Sequence, residues 1–142
     1  MQIKIAIITS FLLLLLSYTY GYGAEYVLVC NKECPVAQIT AQEVERIFLR
    51  KKRKWKDNST IEVVINTNEK IYDQFTRSML NKSSSQFSNY WRRILFSGKD
   101  MLPVILEKDS DIIDFIKKHP RALSYINMTN VTNTIKALPI IE

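Results

Sequence analysis

Apolar residues recur along this chain in distinct rhythms, and each rhythm predicts an element. Residues 5–16 are almost unbroken hydrocarbon and end in consecutive leucines. Shorter apolar runs follow at residues 26–30, 61–65, 103–106 and 122–126, rich in β-branched side chains and of strand length. The first of these, Tyr26-Val27-Leu28-Val29-Cys30, has no polar alternation, which predicts a strand covered on both faces. Residues 135–141 predict one more strand at the end of the chain. Between the runs the spacing changes to that of a helix: Val44, Ile47 and Phe48; Ile71, Phe75 and Met79; Phe87, Tyr90, Trp91, Ile94 and Leu95; Ile112, Ile113 and Ile116.

Punctuation between the rhythms agrees with them. Thr40 and Glu43 have capping-box spacing, so the first helix starts there. Asn68 is placed to cap the second, Ser83-Ser84-Ser85 opens a third, and Gly98 ends it. Asp109 or Ser110 opens the last helix, and His119-Pro120 stops it. Asp109 and Asp111 fall in its first turn, where they complement the helix dipole. Strands alternating with helices specify an α/β layer structure with a mainly parallel sheet.

The leading apolar run has a different meaning. Lys4 is the only charge before Glu25, and the run is shorter than the roughly 20 residues a membrane-spanning helix needs. A positively charged start, an apolar middle and Gly21-Tyr22-Gly23-Ala24 predict a signal peptide over residues 1–23, with a single domain over 24–142. Cleavage after Ala24 instead would put Tyr22 in the outer small-residue position. The expected location is periplasmic or secreted, with no transmembrane segment after cleavage.

The net charge of +6 favours anionic ligands or partners. Residues 50–56 concentrate it beside Trp55; a solvated helix end explains them, with lipid headgroups or an acidic partner as the alternative, and export argues against nucleic acid. The two cysteines, Cys30 and Cys34, are expected to pair as a disulfide in an oxidising compartment. They are too few, with the single His119, for a metal site, and their spacing is not that of a thioredoxin-like centre. No nucleophile motif or cofactor-binding signature stands in the chain, so no enzyme activity and no cofactor is expected.

The order of motifs adds a resemblance. Cys34-Pro35-Val36, then Ile47-Phe48-Leu49-Arg50-Lys51-Lys52 with Trp55, Met79-Leu80-Asn81-Lys82-Ser83, Tyr90-Trp91, Phe96-Ser97-Gly98-Lys99, and Pro120-Arg121-Ala122-Leu123-Ser124-Tyr125-Ile126 follow one another with similar spacing. The set resembles short single-domain relatives of the phosphate ABC transporter substrate-binding proteins. The resemblance implies a single lobe of a type II periplasmic binding protein-like fold, a mainly parallel or mixed sheet of five strands with helices on both faces. It also implies phosphate or another small anion as ligand, and a membrane transporter or sensor protein as partner. Arg50, Asn81, Arg121 and Ser124 stand where the family pattern has glycine. The segment Asn66-Thr67-Asn68-Glu69-Lys70 lacks the arginine and the Gly-Ser-Gly-Thr turn of full-length phosphate binders.

Ligands of open α/β sheets sit beyond the carboxyl ends of strands. The candidate ligand contacts are therefore Asn31 and Lys32 after the first strand, and Thr67, Asn68 and Lys70 after the second. A cap role for Asn68 and a solvated loop charge for Lys32 are the plain alternatives. The leading expectation is an exported anion-binding module; the alternative is a protein-interaction or accessory domain of the envelope that has lost the ligand.

Overall fold

The computed structural model of the protein describes residues 25–98 and 101–142; the expected signal peptide and its cleavage point lie outside them. The elements follow the order β1 (Tyr26–Cys30), β2 (Ile39–Thr40), α1 (Ala41–Phe48), β3 (Glu62–Asn66), α2 (Glu69–Leu80), α3 (Ser84–Phe96), β4 (Val104–Leu106), α4 (Asp109–Lys118), β5 (Ala122–Asn127), a 3-10 turn (Met128–Asn130), β6 (Lys136–Ala137) and β7 (Ile140–Ile141). The expected terminal strand is thus divided. β6 joins the main sheet, and β7 pairs with β2 in a separate parallel ribbon.

Capping chemistry sets the helix starts. Thr40 accepts from the Glu43 amide and the Glu43 carboxylate accepts from the Thr40 amide, the reciprocal capping box. Ser83 and Gln86 do the same for α3. Asn68 holds the N-cap position of α2 without a side-chain bond to it, and its backbone amide donates to Asn66 Oδ1 at 2.9 Å.

The five-stranded sheet has the order β4-β3-β5-β1-β6. β3 runs parallel to both β4 and β5, while β1 is antiparallel to β5 and β6, so the sheet is mixed. Hydrophobic rhythm does not encode strand direction. β5 enters between β1 and β3, the first two strands of this sheet in chain order.

Helices cover both faces. Tyr26, Leu28 and Cys30 of β1 join Val63, Ile65 and Tyr125 under α1, α2 and α3, whereas Val29, Val64 and Ile126 pack on Ile112 and Ile116 of α4. At the centre of the larger layer the rings of Phe75 and Tyr125 stack at 3.8 Å, with Phe48 edge-on to Phe75 at 4.7 Å. Such ring pairs contribute about 0.5–1.5 kcal/mol each beyond area burial.

Two of the family's glycine positions keep a glycine-like backbone. Arg50 and Asn81 follow the ends of α1 and α2 with φ of 56° and 50°, the left-handed region where glycine costs least. Arg50 is also buried, its guanidinium donating to the Ile61 carbonyl at 3.2 Å. Trp55 is buried too and donates from Nε1 to the Arg121 carbonyl. Lys52 is bound to Glu43. Part of the basic run is therefore structural, and Lys51, Arg53, Lys54 and Lys56 form its exposed side.

Candidate functional site

The expected site residues fall at opposite ends of the sheet. Because β1 is antiparallel to β5, Cys30 lies opposite Leu123 near the start of β5, beside the start of β3; Thr67, Asn68 and Lys70 lie beyond the other end of β3. Thr67, Asn68 and Lys70 share an open cleft with Tyr72, Ser84 and Glu107. Asn31 and Lys32 are not part of it.

Asn31 is buried and engaged. Its Nδ2 donates to the Ile116 and Lys117 carbonyls at 2.8 and 3.1 Å, and its Oδ1 accepts the Glu33 amide. The Ile116 carbonyl also accepts the His119 amide, so Asn31 adds a second bond there and satisfies the Lys117 carbonyl at the end of α4. Lys32 is an exposed loop residue.

At the same end, Cys30 and Cys34 are both buried free thiols, not the expected disulfide. A hydrogen bond from Cys30 to Cys34 joins them. The turn explains the arrangement: the Cys34 amide bonds to the Asn31 carbonyl at 2.9 Å, while Lys136 holds the Cys34 and Val36 carbonyls at 3.0 and 2.7 Å. Cys30 meanwhile is fixed at the end of β1. The bond from Cys30 lowers Cys34 to about 7, aided by the Val36 amide and Lys136, against the desolvation that raises it. The same bond and burial raise Cys30.

The end of the sheet where β3 and β5 finish carries a different network, centred on Asp109 in the first turn of α4. Its Oδ1 accepts from Asn66 Nδ2 at 2.8 Å, and its Oδ2 accepts from the Asn127 amide at 3.0 Å and Asn130 Nδ2 at 2.8 Å. Asn66 is fully buried and donates from the same nitrogen to the Tyr125 carbonyl at 3.1 Å. Tyr125 in turn donates its hydroxyl to the Asn66 carbonyl; burial pushes that phenol well above its ordinary pKa. The three donors come from the ends of β3 and β5 and from the 3-10 turn, and Asp109 places a fixed negative charge in the first turn of α4, where it complements the helix dipole.

The cleft beside it is acid-lined. Glu69, Asp73 and Glu107 border it together with Lys70. Lys70 is paired with Glu25 at 2.7 Å. Asp73 is held below the usual carboxylate range by its hydrogen bond from Arg77. The neighbouring depression adds Asp109, Lys108 and Asn130. A free oxyanion entering the cleft meets more negative charge than positive.

Asn66, Asp109, Asn127 and Asn130 are the residues that sequence reading did not assemble. Asp109 reads there as dipole compensation, and the asparagines have no shared spacing. Their one sequence signal is that an asparagine immediately follows each of two predicted apolar strands. Among the described residues no His, Cys, Asp and Glu group of three or more has the geometry to hold a metal. None of the described helices is long and apolar enough to cross a membrane.

No sequence-family profile matches the chain, and no curated protein matches it by sequence. The fold does match solved structures. A protein from Clostridium perfringens assigned as a phosphate ABC transporter substrate-binding protein, with bound phosphate, aligns with a TM-score of 0.64 and 16% identity over 82% of this chain and 44% of its own. An ABC-type phosphate transport receptor from Vibrio cholerae aligns at 0.55 and 16%, covering 82% of this chain and 46% of its own. PstS from Borrelia burgdorferi gives 0.55 and 12%, covering 82% and 47%. This chain therefore spans less than half the length of each. At these identities the likeness establishes the fold, a single lobe of the type II periplasmic binding protein kind. The matched structures are described as binding or receptor proteins, not as enzymes.

Proposed function

We propose that the protein is an exported, non-enzymatic binding module of the cell envelope, periplasmic or secreted after loss of residues 1–23. In this reading residues 24–142 keep the periplasmic-binding-protein lobe but work through a protein partner, a membrane transporter or sensor, and do not carry free phosphate. One observation supports the loss of the anion above the others: the Asp109 carboxylate, a fixed negative charge in the first turn of α4, takes up three N–H donors at the end of the sheet where β3 and β5 finish. The acidic lining of the adjoining cleft acts in the same direction.

A second reading keeps phosphate or another small anion as ligand. Two observations favour it: a structural neighbour was solved with bound phosphate, and Thr67, Asn68 and Lys70 share one open cleft. Calorimetric titration of the purified chain with inorganic phosphate at low salt separates the two. The interaction reading expects no saturable heat up to about 10 mM phosphate; saturation below about 1 mM returns the protein to anion binding.

A further inference from the structure

The outer edge of β4 is a strand end of the sheet with no neighbour among the described residues. Its register with β3 shows which backbone groups are unused. The Leu106 carbonyl accepts from the Thr67 amide at 2.9 Å, and Ile65 stands opposite Ile105. In a parallel ladder alternate residues bond to the same neighbour, so Val104 and Leu106 address β3 and Ile105 turns its N–H and C=O outward. Such an edge accepts another strand unless the fold blocks it. This edge is three residues long and carries neither proline nor charge within it.

The surface around the edge is apolar. Phe96 is 86% exposed, Leu102 73%, Met101 62% and Ile105 60%. Between the edge and α3 runs a groove of about 230 Å³ lined by Tyr72, Trp91, Leu95, Pro103 and Ile105, with Arg92 as the charged residue of its wall. Arg92 donates to the Asn89 side chain and has no carboxylate partner among the described residues.

We infer that this edge and groove bind an extended, acidic segment of a partner protein, which adds as a strand beside β4 and places a carboxylate against Arg92. Main-chain bonds to Ile105 hold the segment, and alternate apolar side chains enter the groove. The unpaired backbone decides the class of partner. A bilayer would leave the Ile105 N–H and C=O without bonds in hydrocarbon, which is costly. The β4 edge of a second copy carries no carboxylate to set against Arg92, whereas an acidic strand does. The inference rests on the protein-interaction reading and names the surface that carries it.

The test uses the purified full chain and a phage-displayed library of random octapeptides, followed by fluorescence anisotropy on an enriched peptide. Expected are sequences alternating apolar residues with Asp or Glu. Their affinity should fall about tenfold in Ile105→Pro, which removes the outward N–H and leaves the β3 ladder intact, and about fivefold in Arg92→Glu with recovery in Arg92→Lys. Arg92 is exposed, so its variants keep the test valid should Ile105→Pro fold poorly. The inference is overturned if no peptide is enriched, or if enriched peptides bind all variants alike. It is equally overturned if sedimentation shows a dimer that Ile105→Pro dissolves, or if phosphatidylglycerol vesicles take up the protein through Phe96 with Ile105→Pro indifferent. Saturable phosphate heat would instead remove the underlying reading; absent heat with no peptide enrichment removes this inference alone.

Discussion

The two ends of α4 solve opposite electrostatic problems with the chain's own side chains. At its start the amide-rich end meets the Asp109 carboxylate, which also gathers Asn66, Asn127 and Asn130. At its finish the carbonyl-rich end meets the Asn31 amide, held by the turn that follows β1. The difference lies in what each end could have offered a ligand. The carboxyl end of an open sheet is where an anion is received, and there the helix dipole is already answered by an internal charge. The other end is closed by a neutral amide and needs no ion.

Substitutions at the two poles should therefore cost different amounts. Asp109→Ala strips the acceptor from three donors, one of them on the buried Asn66, and should destabilise the protein by about 2–4 kcal/mol in urea unfolding. Asn31→Ala should cost about 1–2 kcal/mol, because it removes bonds to helix-end carbonyls that a water can partly replace. Equal losses would erase the contrast.

A pH series sharpens it further, because the Asn31 pole holds the thiol pair. Folding lowers Cys34 from its ordinary 9.0 to about 7, so its contribution is absent below pH 7, grows as pH rises, and is complete above 9. Cys30 is raised, so it opposes folding as pH passes its ordinary 9.0. Unfolding free energy should climb by on the order of 1 kcal/mol between pH 7 and 9 and then decline, and Cys34→Ser should abolish the climb. The smallest effect belongs to Asn68→Ala. Its side chain makes no cap bond, and thermal melting should place the change within about 0.5 kcal/mol, below the usual loss for an asparagine cap.

The legible part of this fold was local. Thr40 with Glu43, and the serines at 83–85, announce their helices because capping is decided within a few residues. The unbroken run at β1 announces a strand covered on both faces for a similar reason: each side chain's environment alternates along the strand. The direction of β1 was not legible, since it depends on β5 entering beside it from the far end of the sequence. That direction separates Asn31 and Lys32 from Thr67, Asn68 and Lys70. The Asp109 network was hidden for the same cause, its donors lying 18, 21 and 43 residues away. The thiol pair shows the converse: close spacing suggests a bond, but the turn and Lys136 leave Cys34 hydrogen-bonded to Cys30.

Asp109 is proposed to stand in for an anion among the three N–H donors it gathers, and NMR reads those donors directly. In a phosphate titration followed by nitrogen–proton correlation spectra, the Asn127 amide and the Asn66 and Asn130 side-chain signals should stay in place in the wild-type chain up to about 10 mM. They should shift with saturation in Asp109→Gly, where the donors are left open. Saturable shifts of those same signals in the wild-type chain, with Asp109 intact, would contradict the account.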